Sequence, residues 1–307
     1  MDEKMVSCRK KMKNTLEQPG QIRCDGVIIA GTTEGRQIMD ALNRQGYALA
    51  ATVATDLGAQ VLEGVYGREH TQIFVERRDE EGFERLFETL APAFVVDASH
   101  PFAAVVTETV RRACLKKKIP YVRFARPEGR METEIRPDQG RTEFVSAGEN
   151  NDAELIYARD AKEAADILKK LPGNILFTTG ANTASVYVSA LKDFNERAYI
   201  RVLDTKASVE ACRAAGIKDS HIFPQNPPFS VEDNLALIRK YHIRVLVTKD
   251  SGRTGGVPQK LESIKRAGIL GVVLSRPAEN PKTSVSSIDA LTEWLSGIKM
   301  EKRPDRF

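Results

Sequence analysis

Val27-Ile28-Ile29-Ala30-Gly31-Thr32-Thr33-Glu34-Gly35 is an apolar strand running into a glycine loop. The chain repeats the device at Ile175-Leu176-Phe177-Thr178-Thr179-Gly180-Ala181-Asn182. Each copy is followed by a strand that ends near an aspartate, at Val95-Val96-Asp97-Ala98-Ser99-His100 and at Val245-Leu246-Val247-Thr248-Lys249-Asp250-Ser251-Gly252. Each then closes on Arg-Pro, at Arg126-Pro127 and Arg276-Pro277. The offsets are 149 from Gly31 to Gly180, 153 from Asp97 to Asp250 and 150 from Pro127 to Pro277. A repeat of this length is too large for a solenoid unit and predicts two similar domains. The expected limits are 25–135 and 136–298, with a flexible extension at 1–24 and a tail at 299–307. Domains of this type carry loops at their strand ends, so a ligand cleft is expected between them.

Strands alternate with helices along both halves. In the first, apolar runs predict strands over 27–30, 47–55, 72–76, 94–97 and 121–124. Helical periodicity covers 34–44, 79–90 and 102–117, the last with Pro101 in its first turn, where proline is tolerated. In the second, strands are expected over 175–178, 198–203, 221–223, 245–248 and 272–274. Helices are expected near 184–191, 208–215, 231–241 and 258–267. A charged, glycine-containing stretch over 128–154 joins the halves, and 286–295 is a last helix holding Trp294, the only tryptophan. The pattern predicts an α/β protein with two Rossmann-like parallel-sheet domains related by an internal pseudo-repeat.

Bulk properties narrow the function. The 307 residues are 41% hydrophobic and 29% charged, ordinary values for a globular protein with two cores. No apolar run reaches the roughly 18 residues that span a bilayer, so no membrane partner is expected. The segment from Met1 to Cys24 is polar and basic, unlike a secretory leader, and carries +3 of the formal +4. The nearly neutral body argues against a nucleic-acid surface. Cys8, Cys24, Cys114 and Cys212 are widely spaced with no CxxC, and His70, His100, His221 and His242 are equally scattered. This spacing offers no zinc site, so no metal is expected, and the cysteines read as free thiols in a reducing, cytoplasmic setting.

Four loops carry groups that hold ligands. Gly31-Thr32-Thr33-Glu34-Gly35 opens a helix, where backbone N–H groups and two hydroxyls favour a phosphate. The spacing departs from GxGxxG, and the end of the second strand offers Thr52 and Thr55 in place of a well-positioned acid. The competing reading gives Gly31 and Gly35 only a tight turn and close helix packing. Thr178-Thr179-Gly180-Ala181-Asn182 occupies the same place in the second half, with a plain turn as its alternative. Asp97-Ala98-Ser99-His100 gathers three reactive side chains, but a hydrolytic relay is assembled from separate loops. It reads as a ligand-contacting loop, with Ser99 alternatively capping the helix that follows. Thr248 to Gly256 offers Lys249, Ser251, Gly252 and Arg253 to an anion; it is no Walker loop, because Lys249 precedes the glycines.

In series, these loops resemble the precorrin-6A reductase family of cobalamin biosynthesis, including its cobalt-precorrin-6A branch. Gly31-Thr32-Thr33-Glu34 matches a Gly-Thr-x-Glu loop, and Asp97 to Ala103 matches an Asp-Ala-Thr/Ser-His-Pro-Phe/Tyr-Ala box. Thr178-Thr179-Gly180 matches a Thr-Thr-Gly turn, and Thr248 to Gly252 matches Thr-Lys-x-Ser-Gly. The order and spacing fit from residue 26 to about 297.

The resemblance implies an NAD(P)H-dependent oxidoreductase. NADPH or NADH would deliver hydride to a carbon of precorrin-6A or cobalt-precorrin-6A, a CH–CH reduction by a monomer. The nucleotide is then expected on Gly31, Thr32, Thr33, Glu34, Thr179, Gly180, Ser251 and Gly252. Ser99, Arg123, Arg126 and Arg253 are candidates for the substrate carboxylates. Asp97, His100 and Lys249 are candidate proton donors, beside solvent and the substrate itself. Positioning and water exclusion carry such chemistry, so no protein nucleophile is needed. The rival from another class is a two-domain tetrapyrrole- or nucleotide-binding protein without redox activity.

Overall fold

β1 (Gly26–Ile29) is buried along its whole length, because it lies mid-sheet, parallel to both β2 (Leu49–Val53) and β4 (Phe94–Asp97). Such strands read as continuous apolar runs. The computed structural model describes residues 24–56, 58, 59, 62, 71–125, 154–251, 255–277 and 283–299. The segment before Cys24, the stretch 126–153 with Arg126, the triplet with Gly252 and Arg253, and the tail from 300 lie outside them.

The first sheet is completed by β3 (Thr71–Val75) and β5 (Tyr121–Phe124), with α1 (Thr33–Arg44), α2 (Glu80–Leu90) and α3 (Ala104–Lys117). The second half begins with β6 (Leu155–Ala158) and α4 (Ala161–Leu168). It continues through β7 (Asn174–Phe177), α5 (Ala184–Ala190), α6 (Phe194–Arg197), β8 (Ala198–Val202), α7 (Lys206–Ala214) and β9 (Ile222–Pro224). It ends with α8 (Val231–Lys240), β10 (Ile243–Lys249), α9 (Val257–Ala267) and β11 (Leu270–Leu274). β12 (Ser284–Val285) and α10 (Ile288–Ser296) follow.

The strand orders are β12-β5-β4-β1-β2-β3 and β6-β11-β10-β7-β8-β9. Matching β1–β5 with β7–β11 makes them the same order. The sixth strand of each sheet is exchanged: β6, next in the chain after β5, joins β11, while β12, next after β11, joins β5. The chain accordingly divides into Met1–Pro127 with Ala278–Phe307, and Glu128–Pro277. This corrects the second expected domain, 136–298, at its C-terminal end. β12 extends the first sheet, and Leu291 and Leu295 of α10 are buried in the first core with Trp294 packed against it.

Capping explains most helix starts. Thr32, Asp79, Asp160, Thr205 and Ser287 each accept a backbone N–H at the start of α1, α2, α4, α7 and α10, and Ser230 opens α8 with a reciprocal capping box. α3, α5, α6 and α9 start without a side-chain cap, and α3 begins at Ala104 behind Ala103. Pro101 therefore lies in the preceding turn, outside the helix, and the expectation of a helix from 102 is corrected. β9 likewise starts at Ile222, because Asp219–His221 forms a 3-10 turn.

Candidate functional site

In the first unit, the loop after β1 is tied to the loop after β4. Thr32 Oγ1 donates to Ala98 O at 2.8 Å and accepts from Gly35 N at 3.0 Å. One hydroxyl thus caps α1 and fixes the neighbouring loop. Gly31 is exposed with φ +100°, and an added Cβ would meet only Val53 Cγ1 at 4.0 Å. Its backbone can be approached by a ligand, and its left-handed conformation favours glycine. Gly35 serves packing instead. A Cβ there would lie 3.1 Å from Ala30 Cα, so its absence lets α1 settle on the strand end. Thr33 is exposed and Glu34 half-buried at the helix start.

Asp97 and Arg123 are brought together, but inside the protein. Asp97 is fully buried and pairs with Arg123 Nη1 through Oδ1 at 2.8 Å. It also accepts from Ser99 N at 2.9 Å and from the Tyr121 hydroxyl at 3.1 Å. Arg123, 4% exposed, donates to Asp97 O and to Ser99 Oγ as well. Burial, then the Asp97 charge, pushes the Tyr121 pKa up, so this phenol remains a donor. Asp97, expected as a proton donor, and Arg123, expected as a substrate ligand, are both engaged in holding the β4 loop. Ser99 does not cap α3; its hydroxyl is taken by Arg123 and lies 3.3 Å from Thr107 Oγ1. His100 is half-buried and accepts from Phe102 N at Nδ1, 3.2 Å away, which leaves the proton of the neutral ring on Nε2.

In the second unit, Thr179 is buried and shares a hydrogen bond with Thr183 at 2.9 Å, and Gly180 has φ +80° with open space around it. The α-helix that follows, behind a 3-10 turn, is short, so the helix-dipole argument is weaker here than at α1. Lys249 is half-buried, and burial lowers its pKa. Ser251 is buried, its hydroxyl donating to Gly255 O at 3.4 Å. Asp250 pairs with Arg276 at 3.2 Å.

Strand register revises the internal alignment. Ile28 faces Ala51 and Val96, as Phe177 faces Ile200 and Val247. One step further, Asp97 corresponds to Thr248 rather than to Asp250, and Thr52 corresponds to Arg201. The buried pair Asp97–Arg123 is therefore replaced in the second sheet by Thr248 opposite Val273.

Arg78, Tyr121, Arg201 and Lys260 escaped the sequence reading. Arg201 and Arg123 each interrupt an apolar strand with a charge, and that was the available signal. Lys260 recurs with Val257, Ser263 and Ile264 on the buried face of α9. Cys114 and Cys212 are buried free thiols in α3 and α7, and burial pushes Cys114 up to about 12, which makes it unreactive.

The model of the precorrin-6x reductase family CbiJ/CobK matches residues 27–296. The chain belongs to that family. It is 32% identical over 258 residues to a cobalt-precorrin-6A reductase of Methanothermobacter thermautotrophicus, covering 83% of this chain and 77% of the relative. A cobalt-precorrin-6A reductase of Priestia megaterium is 27% identical over 88% of this chain and 97% of its own. Among solved structures, one described as CobK precorrin-6A reductase aligns with a TM-score of 0.64 at 19% identity, over 89% of this chain and 96% of that one. That likeness gives the fold: two Rossmann-like α/β units. The family makes the protein a reductase of cobalamin biosynthesis. Among the described residues no helix is long and apolar enough to cross a membrane.

Proposed function

We propose that the protein reduces cobalt-precorrin-6A, or its metal-free counterpart, with hydride from a reduced nicotinamide nucleotide. The observation that carries this reading is the Gly31 loop: an approachable backbone at the start of a twelve-residue helix, braced against the β4 loop, in a chain of a reductase family. Gly31, Thr32, Thr33 and Glu34 would hold the nucleotide, with backbone N–H groups of the helix start facing its phosphates. Thr179, Gly180 and Ser251 are offered to the same ligand class in the second unit. The bound nucleotide supplies the hydride. The chain's own residues position the ligands, exclude water and provide a proton. His100, with hydrogen on Nε2, and Lys249, whose burial favours release of its proton, are the candidate donors.

The nucleotide is read as NADPH in preference to NADH. In Rossmann folds the end of the second strand reads the ribose 2′ position, with an acid for NADH and an arginine for NADPH. Here that strand ends at Thr52 and Val53, and Arg78 Nη1 donates to Thr52 Oγ1 at 3.3 Å. The Arg78 side chain is 10% exposed, packs over Phe74 and pairs with Glu76 at 2.8 Å. Nucleotide oxidation with each pairing of NADPH or NADH and cobalt-containing or metal-free macrocycle tests the proposal. Turnover with neither macrocycle refutes it. Arg78→Gln should raise KM for NADPH about 10-fold or more, an effect on the scale of one charge-assisted bond, and spare NADH.

A further inference from the structure

β8 reads Ala-Tyr-Ile-Arg-Val and sets a guanidinium one residue before the carboxyl end of a buried strand. Arg201 is 4% exposed. Its Nη1 donates to Asn234 Oδ1 at 2.9 Å, and its guanidinium carbon lies 3.9 Å from the centre of the Phe229 ring. Its Nη2 is buried and has no hydrogen-bond partner among the described residues. Lys260, in the first turns of α9, is 8% exposed and donates to Gly255 O at 3.3 Å. Ser263 Oγ, on the same face of α9, reaches Val231 O of α8, the helix that carries Asn234. The two cations therefore occupy one packed corner of the unit. Burial first, then the charges of Arg201 and Lys249, draws Lys260 down to about 8. The carboxylate whose charge reaches Arg201 is that of Asp233. It is committed to its capping box, accepting from Ser230 N at 2.8 Å and Ser230 Oγ at 2.7 Å.

Two buried like charges, with no ion-paired carboxylate among the described residues, are unfavourable in a low-dielectric interior, and a bound counter-charge relieves them. Their place matters as well. The carboxyl ends of a parallel sheet are where such folds take ligands, and Arg201 sits in register where Thr52 meets Arg78 in the first unit. We propose that Arg201 and Lys260 form an oxyanion subsite of the second unit, binding a carboxylate or phosphate through the open guanidinium edge and the ammonium. The identity of that anion rests on the reductase reading: it is a carboxylate arm of the macrocycle or a phosphate of the nucleotide. The existence of the subsite does not.

The test begins with the unaltered full chain. Inorganic phosphate and citrate, at ionic strength matched with chloride, should raise Tm at pH 7, and the rise should fade toward pH 10 as Lys260 loses its proton. No rise over chloride, or an equal rise at both pH values, overturns the proposal. Lys260→Met should abolish the anion response and Lys260→Arg should keep it. In turnover, Lys260→Met should raise KM about 10-fold or more for a single ligand, with kcat within about twofold. A raised KM for the macrocycle identifies a carboxylate, and a raised KM for the nucleotide identifies a phosphate. A folded Lys260→Met variant with unchanged KM values and an intact anion response overturns the subsite. Absent turnover with an intact, Lys260-dependent phosphate response would remove the reductase reading and leave the subsite standing.

Discussion

Lys260→Met should stabilise the ligand-free protein at neutral pH and lose that advantage at high pH. The lysine is pulled from 10.5 to about 8, chiefly by burial, then by Arg201 and Lys249. Below pH 8 it is charged in both the folded and the unfolded chain, and the burial penalty is fully present. Between pH 8 and 10.5 the folded chain gives up the proton while the unfolded chain keeps it. The unfolded state then binds more protons, so stability rises with pH across this window. At about 1.4 kcal/mol for each pH unit, the whole rise is on the order of 3 kcal/mol. Methionine fills a similar volume without charge. It forfeits the bond to Gly255 O, worth about 1 kcal/mol. The net expectation at pH 7 is a gain of about 2 kcal/mol, shrinking to nothing or slightly reversing by pH 10.5. Urea unfolding of both chains at pH 7, 9 and 10.5 measures this, and taking the difference cancels the other titrating groups. A variant less stable than the parent at every pH, by a constant amount, would refute the reasoning and make Lys260 an ordinary satisfied core cation.

Asp97→Asn should lower stability by about 3–5 kcal/mol, because Arg123 would keep a buried charge without its partner; a thermal melt close to the parent's would show that the pair is not structural. Gly35→Val and Gly31→Ala should separate packing from binding. The first forces a side chain toward Ala30 and should cost about 1–3 kcal/mol. The second has room, loses about 1–2 kcal/mol to its left-handed φ, and should weaken nucleotide protection in a thermal-shift assay. Equal nucleotide protection of Gly31→Ala and the parent would remove that loop from the site. Deleting residues 283–307 should unfold the first unit, since Leu291 and Leu295 belong to its core; a cooperative melt of the first unit in the truncated chain would contradict the strand exchange.

The fold was legible wherever one residue pattern recurs for one physical reason. Short apolar runs mark central parallel strands, since both faces are covered, and glycine or threonine follows where a helix begins. β12 was not legible, because it spans only Ser284 and Val285 and pairs with β5, which lies in the other half of the chain. β6 was obscured by its place beside a charged joining stretch. The pairing of Asp97 with Asp250 misled because matching residue types were aligned across an insertion. Register, which the backbone sets, puts Thr248 in that place.

The candidate site was half legible for a related reason. Loop motifs display their chemistry in sequence, so the Gly31 and Lys249 loops stood out. What a side chain faces is decided by burial, and sequence alone made Asp97 look reactive when the fold encloses it with Arg123, Tyr121 and Ser99. The same blindness hid Arg201 and Lys260. The repeat sharpens the contrast between the halves. At the strand ends of the first sheet a carboxylate neutralises the inward arginine, whereas the second sheet has threonine and valine at those positions and lacks that pair. Its buried cations, Arg201 and Lys260, come from β8 and α9 instead. Two copies of one architecture thus differ in electrostatics: the first uses its buried charge to fix a loop, and the second keeps cationic capacity for an anion. Installing aspartate at Thr248 puts this contrast to the test. Thr248→Asp alone places a carboxylate opposite Val273, with no inward arginine on β11, and should destabilise the second unit. Thr248→Asp with Val273→Arg recreates the first unit's pair and should recover much of that loss, by about 1–3 kcal/mol of coupling in a double-mutant cycle. Simple additivity of the two changes would mean that the register correspondence drawn between the sheets is wrong.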